Sequence, residues 1–149
     1  MPRRKPFYRH RSSHQPLAVP TLTGRIGPDH FRTVIASDSG HELLADEPLD
    51  NGGQNLGPSP GELLAASLSA CTCITVRMYA DRKQWPLHGV EAVVSFEHNP
   101  QHVVTRLTRK LHLLGTLTDE QRQRLLQIAN LCPIHKALTA SVPIDTELG

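Results

Sequence analysis

The sequence predicts an α+β domain in which pairs of strands flank one long central helix. Three observations carry the prediction. An uncharged, apolar run from Leu63 to Val76 follows a helix-start signal at Ser59. Strand-like segments with period-two character stand before it and after it. A second, separately capped helix begins at Thr118. The predicted order is β-β-α-β-β-α-β.

Taken in order, Phe31 to Ala36 reads as a strand, Asp38-Ser-Gly40 as a turn, and His41 to Leu44 as the returning strand of a hairpin. Residues 48–60 hold three prolines and three glycines and read as a loop. Ser59 is the expected N-cap, with Pro60 at the first helical position and Glu62 closing a capping box. The helix should run to about Lys83. Because no charge falls between Leu63 and Val76, it is expected to be buried on all sides. Val90 to Phe96 and Val103 to Leu114 follow as two long strands joined through Asn99-Pro100. Thr118 and Gln121 form a second capping box, and Leu125, Ile128, Ala129 and Cys132 lie on one stripe. Pro133 interrupts that helix. Ser141 to Thr146 is expected to be a final strand.

At 149 residues the chain suits one domain. With 38% hydrophobic and 20% charged residues it is not a disordered chain, and no run of eighteen apolar residues predicts a membrane span. Aromatics are only 4%, so the core is aliphatic and a base-stacking platform for nucleic acid is not expected. The net charge of +2 conceals an asymmetry: Arg3, Arg4, Lys5, Arg9 and Arg11 precede the first acid, Asp29, and without them eleven cations face fourteen acids. Residues 1–20 are therefore read as a disordered basic arm and 21–149 as the domain. Such an arm could touch nucleic acid or anionic lipid, but nucleic acid is an unlikely partner of the domain itself. No apolar stretch follows Arg3-Arg4, so a cytoplasmic location is expected.

Chemistry is sought among three cysteines. Cys132 precedes Pro133, which disfavours helix for it but suits a new turn, Pro133 to Ala137. As N-cap of that turn its sulfur would face backbone N–H groups, with His135 and Lys136 as nearby cations. A buried small hydrophobe at a helix break is the plain alternative. Cys71 lies at mid-helix among small residues, where a structural role is the simpler reading. Cys73, turned about 200° from it, is assigned to packing. Glu62 is explained by its cap. Arg109 interrupts an apolar strand face and could polarise a thiolate or simply reach water at an edge. Arg25, in Thr-Gly-Arg-Ile-Gly, is a second candidate cation. The one conceivable metal set is Cys71, Cys132 and His135, and no metal is expected.

Together these stretches resemble a known family. His41 to Pro48, Gly57 to Leu64, Ser69-Ala-Cys-Thr72, Arg77 to Lys83 and Cys132-Pro-Ile-His135, in this order, are similar to the OsmC/Ohr proteins, named for osmotically inducible protein C and organic hydroperoxide resistance. The resemblance spans roughly Phe31 to Leu148 and is strongest to the branch of OsmC-like domains sometimes fused to an α/β-hydrolase; a stand-alone OsmC-like domain is expected here. It implies an intertwined homodimer around the central helices, with the site at the subunit boundary. It implies a peroxidase for organic hydroperoxides or hydrogen peroxide, in which Cys71 attacks the O–O bond and Cys132 resolves the sulfenic acid. No bound cofactor is implied; an external dithiol would be the reductant. In the well-studied members a glutamate lies ten residues before the first cysteine and pairs with an early-loop arginine. Here that place is Gly61, with Glu62 one later. The alternative function is a non-enzymatic dimeric module that binds a small apolar ligand in its interface cleft.

Overall fold

The computed structural model describes residues 19–140 and 142–149. The basic arm assigned to residues 1–20 lies outside them apart from Val19 and Pro20. Three short strands, β1 (Leu22–Ile26), β2 (Thr33–Ser37) and β3 (Glu42–Ala45), form an antiparallel sheet in sequence order. A long loop leads to the central helix α1 (Pro60–Arg82). Two long strands, β4 (Leu87–His98) and β5 (Val104–Gly115), make a separate antiparallel pair, and two helices follow, α2 (Asp119–Ala129) and α3 (Pro133–Thr139).

The helix starts follow from local chemistry. In α1 the Glu62 carboxylate accepts the Ser59 N–H at 2.7 Å while Ser59 Oγ accepts the Glu62 N–H at 3.4 Å. In α2 Thr118 and Gln121 make the same reciprocal pair, at 3.0 and 3.2 Å. Each satisfies two N–H groups that a helix start leaves unpaired. Cys132 is the N-cap of α3 with extended backbone angles, as Pro133 requires.

Three expectations are corrected. Residues 22–26 form β1, paired with β2 so that Arg25 stands opposite Val34, a strand additional to those the sequence predicts. Gly24 and the lone apolar residues around it hide the two-residue period, so the strand exists through its partner rather than its own pattern. At the other end, residues 142–149 have no regular structure, against the expected strand Ser141 to Thr146. Val142 and Ile144 are both exposed, so no buried face fixes a register for that segment.

The third correction concerns α1. Only one stripe, Ala65, Leu68, Thr72, Val76 and Ala80, is buried. A second side is tied to β4: Ser69 Oγ donates to Ala92 O at 2.7 Å and Arg77 Nη1 to Leu87 O at 2.6 Å, and Cys73 Sγ lies 3.7 Å from Val90 O. The third side is bare, with Ile74 at 59% and Met78 at 48% exposure beside exposed Ala66 and Ala70. One sheet and two short helices cover two sides of a cylinder and leave the third. By length and composition α1 could also cross a membrane; its polar ties to β4 and its packing on α2 and α3 make it the core helix of this fold. The core itself joins Val76 and Ala80 of α1 to Leu87, Leu125 and Ala129, with Leu111 and Leu113 of β5 against them.

Candidate functional site

Local geometry around Cys132 defines the site. Its side chain has no exposure and its sulfur accepts the His135 backbone N–H at 3.3 Å. Thr72 Oγ1 lies 3.9 Å from that sulfur, and the Cys71 thiol adjoins it. Arg109, opposite Val94 on β5, turns inward as one of its two readings required. Its Nη1 donates to Thr72 Oγ1 at 2.8 Å and Ala129 O at 3.2 Å, and its Nη2 donates to Asn130 Oδ1 at 2.7 Å. Burial pushes the Cys132 thiol up. Hydrogen bonds from the His135 N–H and Cys71, with the Arg109 charge behind them, outweigh burial and hold it below the usual cysteine range.

The two thiols are neighbours within one chain, because α3 packs back on α1 and brings Cys132 to the helix that carries Cys71. Cys71 remains half-exposed, at the border between the buried stripe and the bare side of α1. Cys73 faces β4, away from the pair, as its packing role requires.

Other candidates fall elsewhere. Arg25 is exposed on β1, in the other sheet. Lys136 is exposed, and His135 serves Cys132 through its backbone rather than its ring. Among the described residues no three His, Cys, Asp or Glu side chains converge as a metal-ligand set. The Glu62 carboxylate is taken up by Ser59, whose N–H and hydroxyl both donate to it and hold its pKa down. At Gly61, a Cβ would lie 2.9 Å from the Phe96 ring, so that place admits no larger side chain without a shift. Two residues of the site, Thr72 and Asn130, were not singled out in the sequence. Thr72 was findable: it continues the Leu68–Val76 stripe that the helix period places inward.

Two cavities flank these groups. One of about 500 Å³ lies between α1, β5, α2 and α3, lined by leucines including Leu68, Leu107 and Leu126, and it shares Arg109, Asn130 and His135 with the cysteine site. A larger one of about 870 Å³ lies between the three-stranded sheet and the start of α1, with Phe31, Glu62, Phe96 and His98 in its wall. It touches neither cysteine nor any of Thr72, Arg109, Asn130 and His135, so size does not locate the chemistry. The loop along that cavity is pinned by buried Asp46, whose carboxylate accepts the N–H groups of Phe31, Glu47, Gln54 and Leu56 at 2.8–3.1 Å. Burial raises its pKa, but these four bonds together lower it.

The family model described as OsmC-like protein matches residues 52–147. An uncharacterized protein of Acinetobacter baylyi is 25% identical over 118 residues, 77% of this chain and 82% of that protein. Among solved structures, an OsmC-like protein from Mycoplasma pneumoniae superposes with a TM-score of 0.71 at 17% identity, covering 83% of this chain and 89% of that one. An organic hydroperoxide resistance protein from Elizabethkingia anophelis does so with a TM-score of 0.62 at 25% identity, covering 83% and 90%.

Proposed function

The chain belongs to the OsmC-like protein family, and on that premise we propose that it is a thiol-dependent peroxidase working through Cys71 and Cys132. The observation that carries this reading is the approach of two cysteines, distant in sequence, beside an inward guanidinium. Cys71 meets the hydroperoxide, because it is half-exposed while Cys132 is fully covered. Its thiolate attacks the distal oxygen, the O–O bond breaks, and sulfur is oxidised to the sulfenic acid as the alcohol or water leaves. Cys132 displaces hydroxide to form the disulfide, and an external dithiol reduces it. Organic hydroperoxides suit the leucine-lined cleft beside the site, and the Elizabethkingia anophelis relative is named for resistance to them.

The working form in this reading is a homodimer in which a second copy covers the bare side of α1. Ala66, Ala70, Ile74 and Met78 supply the apolar contact surface. The cytoplasm, where dithiol reductants are available, is the compartment it fits. The test is peroxide consumption with a dithiol as electron donor. Full turnover by Cys71→Ser removes Cys71 from the mechanism, and an inactive wild type with several dithiols rejects the activity.

A second reading rests on the same cleft, since leucines dominate its lining and neither sulfur does. In it the protein is a binding module for a small apolar ligand. Intact mass after peroxide treatment separates the two: a sulfenic acid or a Cys71–Cys132 disulfide supports the peroxidase, and an unmodified chain supports the module.

A further inference from the structure

The hydrogen-bond inventory of Thr72 raises a question that the redox pair alone does not answer. Its hydroxyl has one proton and two lone pairs. The proton goes to Leu68 O at 2.6 Å, and Arg109 Nη1 occupies one lone pair at 2.8 Å. The remaining lone pair belongs to an oxygen 3.9 Å from Cys132 Sγ. Thr72 is thus set to accept a proton-bearing sulfur, while the His135 N–H at 3.3 Å and the adjoining Cys71 thiol are set to donate to an ionised one. Cys132 has partners in both protonation states and is itself without exposure.

We propose that Cys132 is the resident thiolate of the pair and the proton acceptor for Cys71, with Thr72 and Arg109 as the positioning residues that let its sulfur take that proton and release it. The proposal rests on the peroxidase reading. The proton passes from the Cys71 thiol to the Cys132 thiolate. The Cys71 thiolate then attacks the distal oxygen of the hydroperoxide, the O–O bond breaks, sulfur loses two electrons to become the sulfenic acid, and alkoxide leaves. Cys132, its S–H directed at Thr72 Oγ1, gives the proton to the alkoxide. Restored as a thiolate, it displaces hydroxide from the Cys71 sulfenic acid and closes the S–S bond. The same sulfur is base first and nucleophile second. Its lowered pKa agrees with the geometry. The charged or titratable groups around it are Cys71 from α1, Arg109 from β5 and His135 on its own helix, while α2 contributes Asn130 and Ala129 O through Arg109.

The experiment follows the first oxidation of Cys71 by tert-butyl hydroperoxide, read as sulfenic acid by rapid trapping and mass. Wild type is compared with Cys132→Ser, Thr72→Val, Thr72→Ser and Arg109→Gln. A group that only resolves acts after this step. Loss of the proton acceptor slows it at neutral pH, on the order of a hundredfold, and the deficit closes at alkaline pH where Cys71 ionises unaided. Thr72→Val slows it about tenfold and Thr72→Ser restores it, as a hydroxyl requirement demands. Equal first-step rates in Cys132→Ser and wild type overturn the proposal. If no hydroperoxide oxidises wild-type Cys71, the peroxidase reading fails instead. Iodoacetamide alkylation of Cys71, mapped by mass, then decides the proton transfer on its own, because equal neutral-pH rates with and without Cys132 reject it.

Discussion

The two long sides of α1 carry similar residues and have opposite fates. Ala65, Leu68, Thr72 and Val76 are buried under α2, α3 and β5, whereas Ala66, Ala70, Ile74 and Met78, one or two positions on, are uncovered. Apolar composition marks a helix for burial; it does not say what covers it. The covered side is finished by the chain's own later elements, and its one polar residue, Thr72, is fully hydrogen-bonded. The polar groups of the uncovered side bond within the helix itself: Ser67 Oγ donates to Leu64 O at 2.7 Å, and Arg77 pairs with Asp81. Cys71 stands on the line between them, half-buried and neighbouring Cys132.

That contrast can be tested at four points. The largest effect is expected on the covered side: Leu125→Ala empties the centre of the α1–α2 packing, where Leu125 has no exposure, and costs about 2–5 kcal/mol in chemical unfolding. On the bare side Ile74→Asp leaves the chain folded. If a second copy covers that side, the variant weakens association by several kcal/mol, because it buries an unpaired charge; sedimentation of wild type as a monomer would remove the contrast's proposed explanation. At the helix start, Ser59→Ala costs about 1 kcal/mol by removing the cap, with turnover retained, since Ser59 and Glu62 stand apart from the sulfurs. The smallest effect is expected from Cys73→Ala, which faces β4: peroxide turnover persists, and a loss would bring Cys73 into the chemistry.

Acidity offers a further contrast. Asp46 has a depressed folded-state pKa, so its contribution to stability is complete above the ordinary carboxylate range and is lost as pH falls through the folded value. Cys132 is depressed as well, so its contribution grows as pH rises through the folded value and is complete above the ordinary cysteine range. Stability measured against pH should show both limbs. Asp46→Asn flattens the acid limb and Cys132→Ser the alkaline one.

The parts of the molecule legible in sequence are those governed by neighbours in the chain. Ser59 with Glu62, Thr118 with Gln121, and Cys132 before Pro133 all announce themselves within four residues. Arg109 was visible as a cation on an apolar face. The parts that were not legible depend on remote partners: β1 needs β2, the segment from 142 finds no buried face, and Asn130 acquires its role only when β5 delivers Arg109. The joining of Cys71 with Cys132 in a single chain is of this kind, because the Cys132-Pro133 break announces the turn but not that α3 will pack on α1.

Phe96 has the last influence on what this protein could become. Its ring fills the space above position 61, where the well-studied peroxidases have glutamate. A lone Gly61→Glu exchange must push the tip of that ring aside, so a glutamate at this place comes with a repositioned ring or a smaller residue at 96.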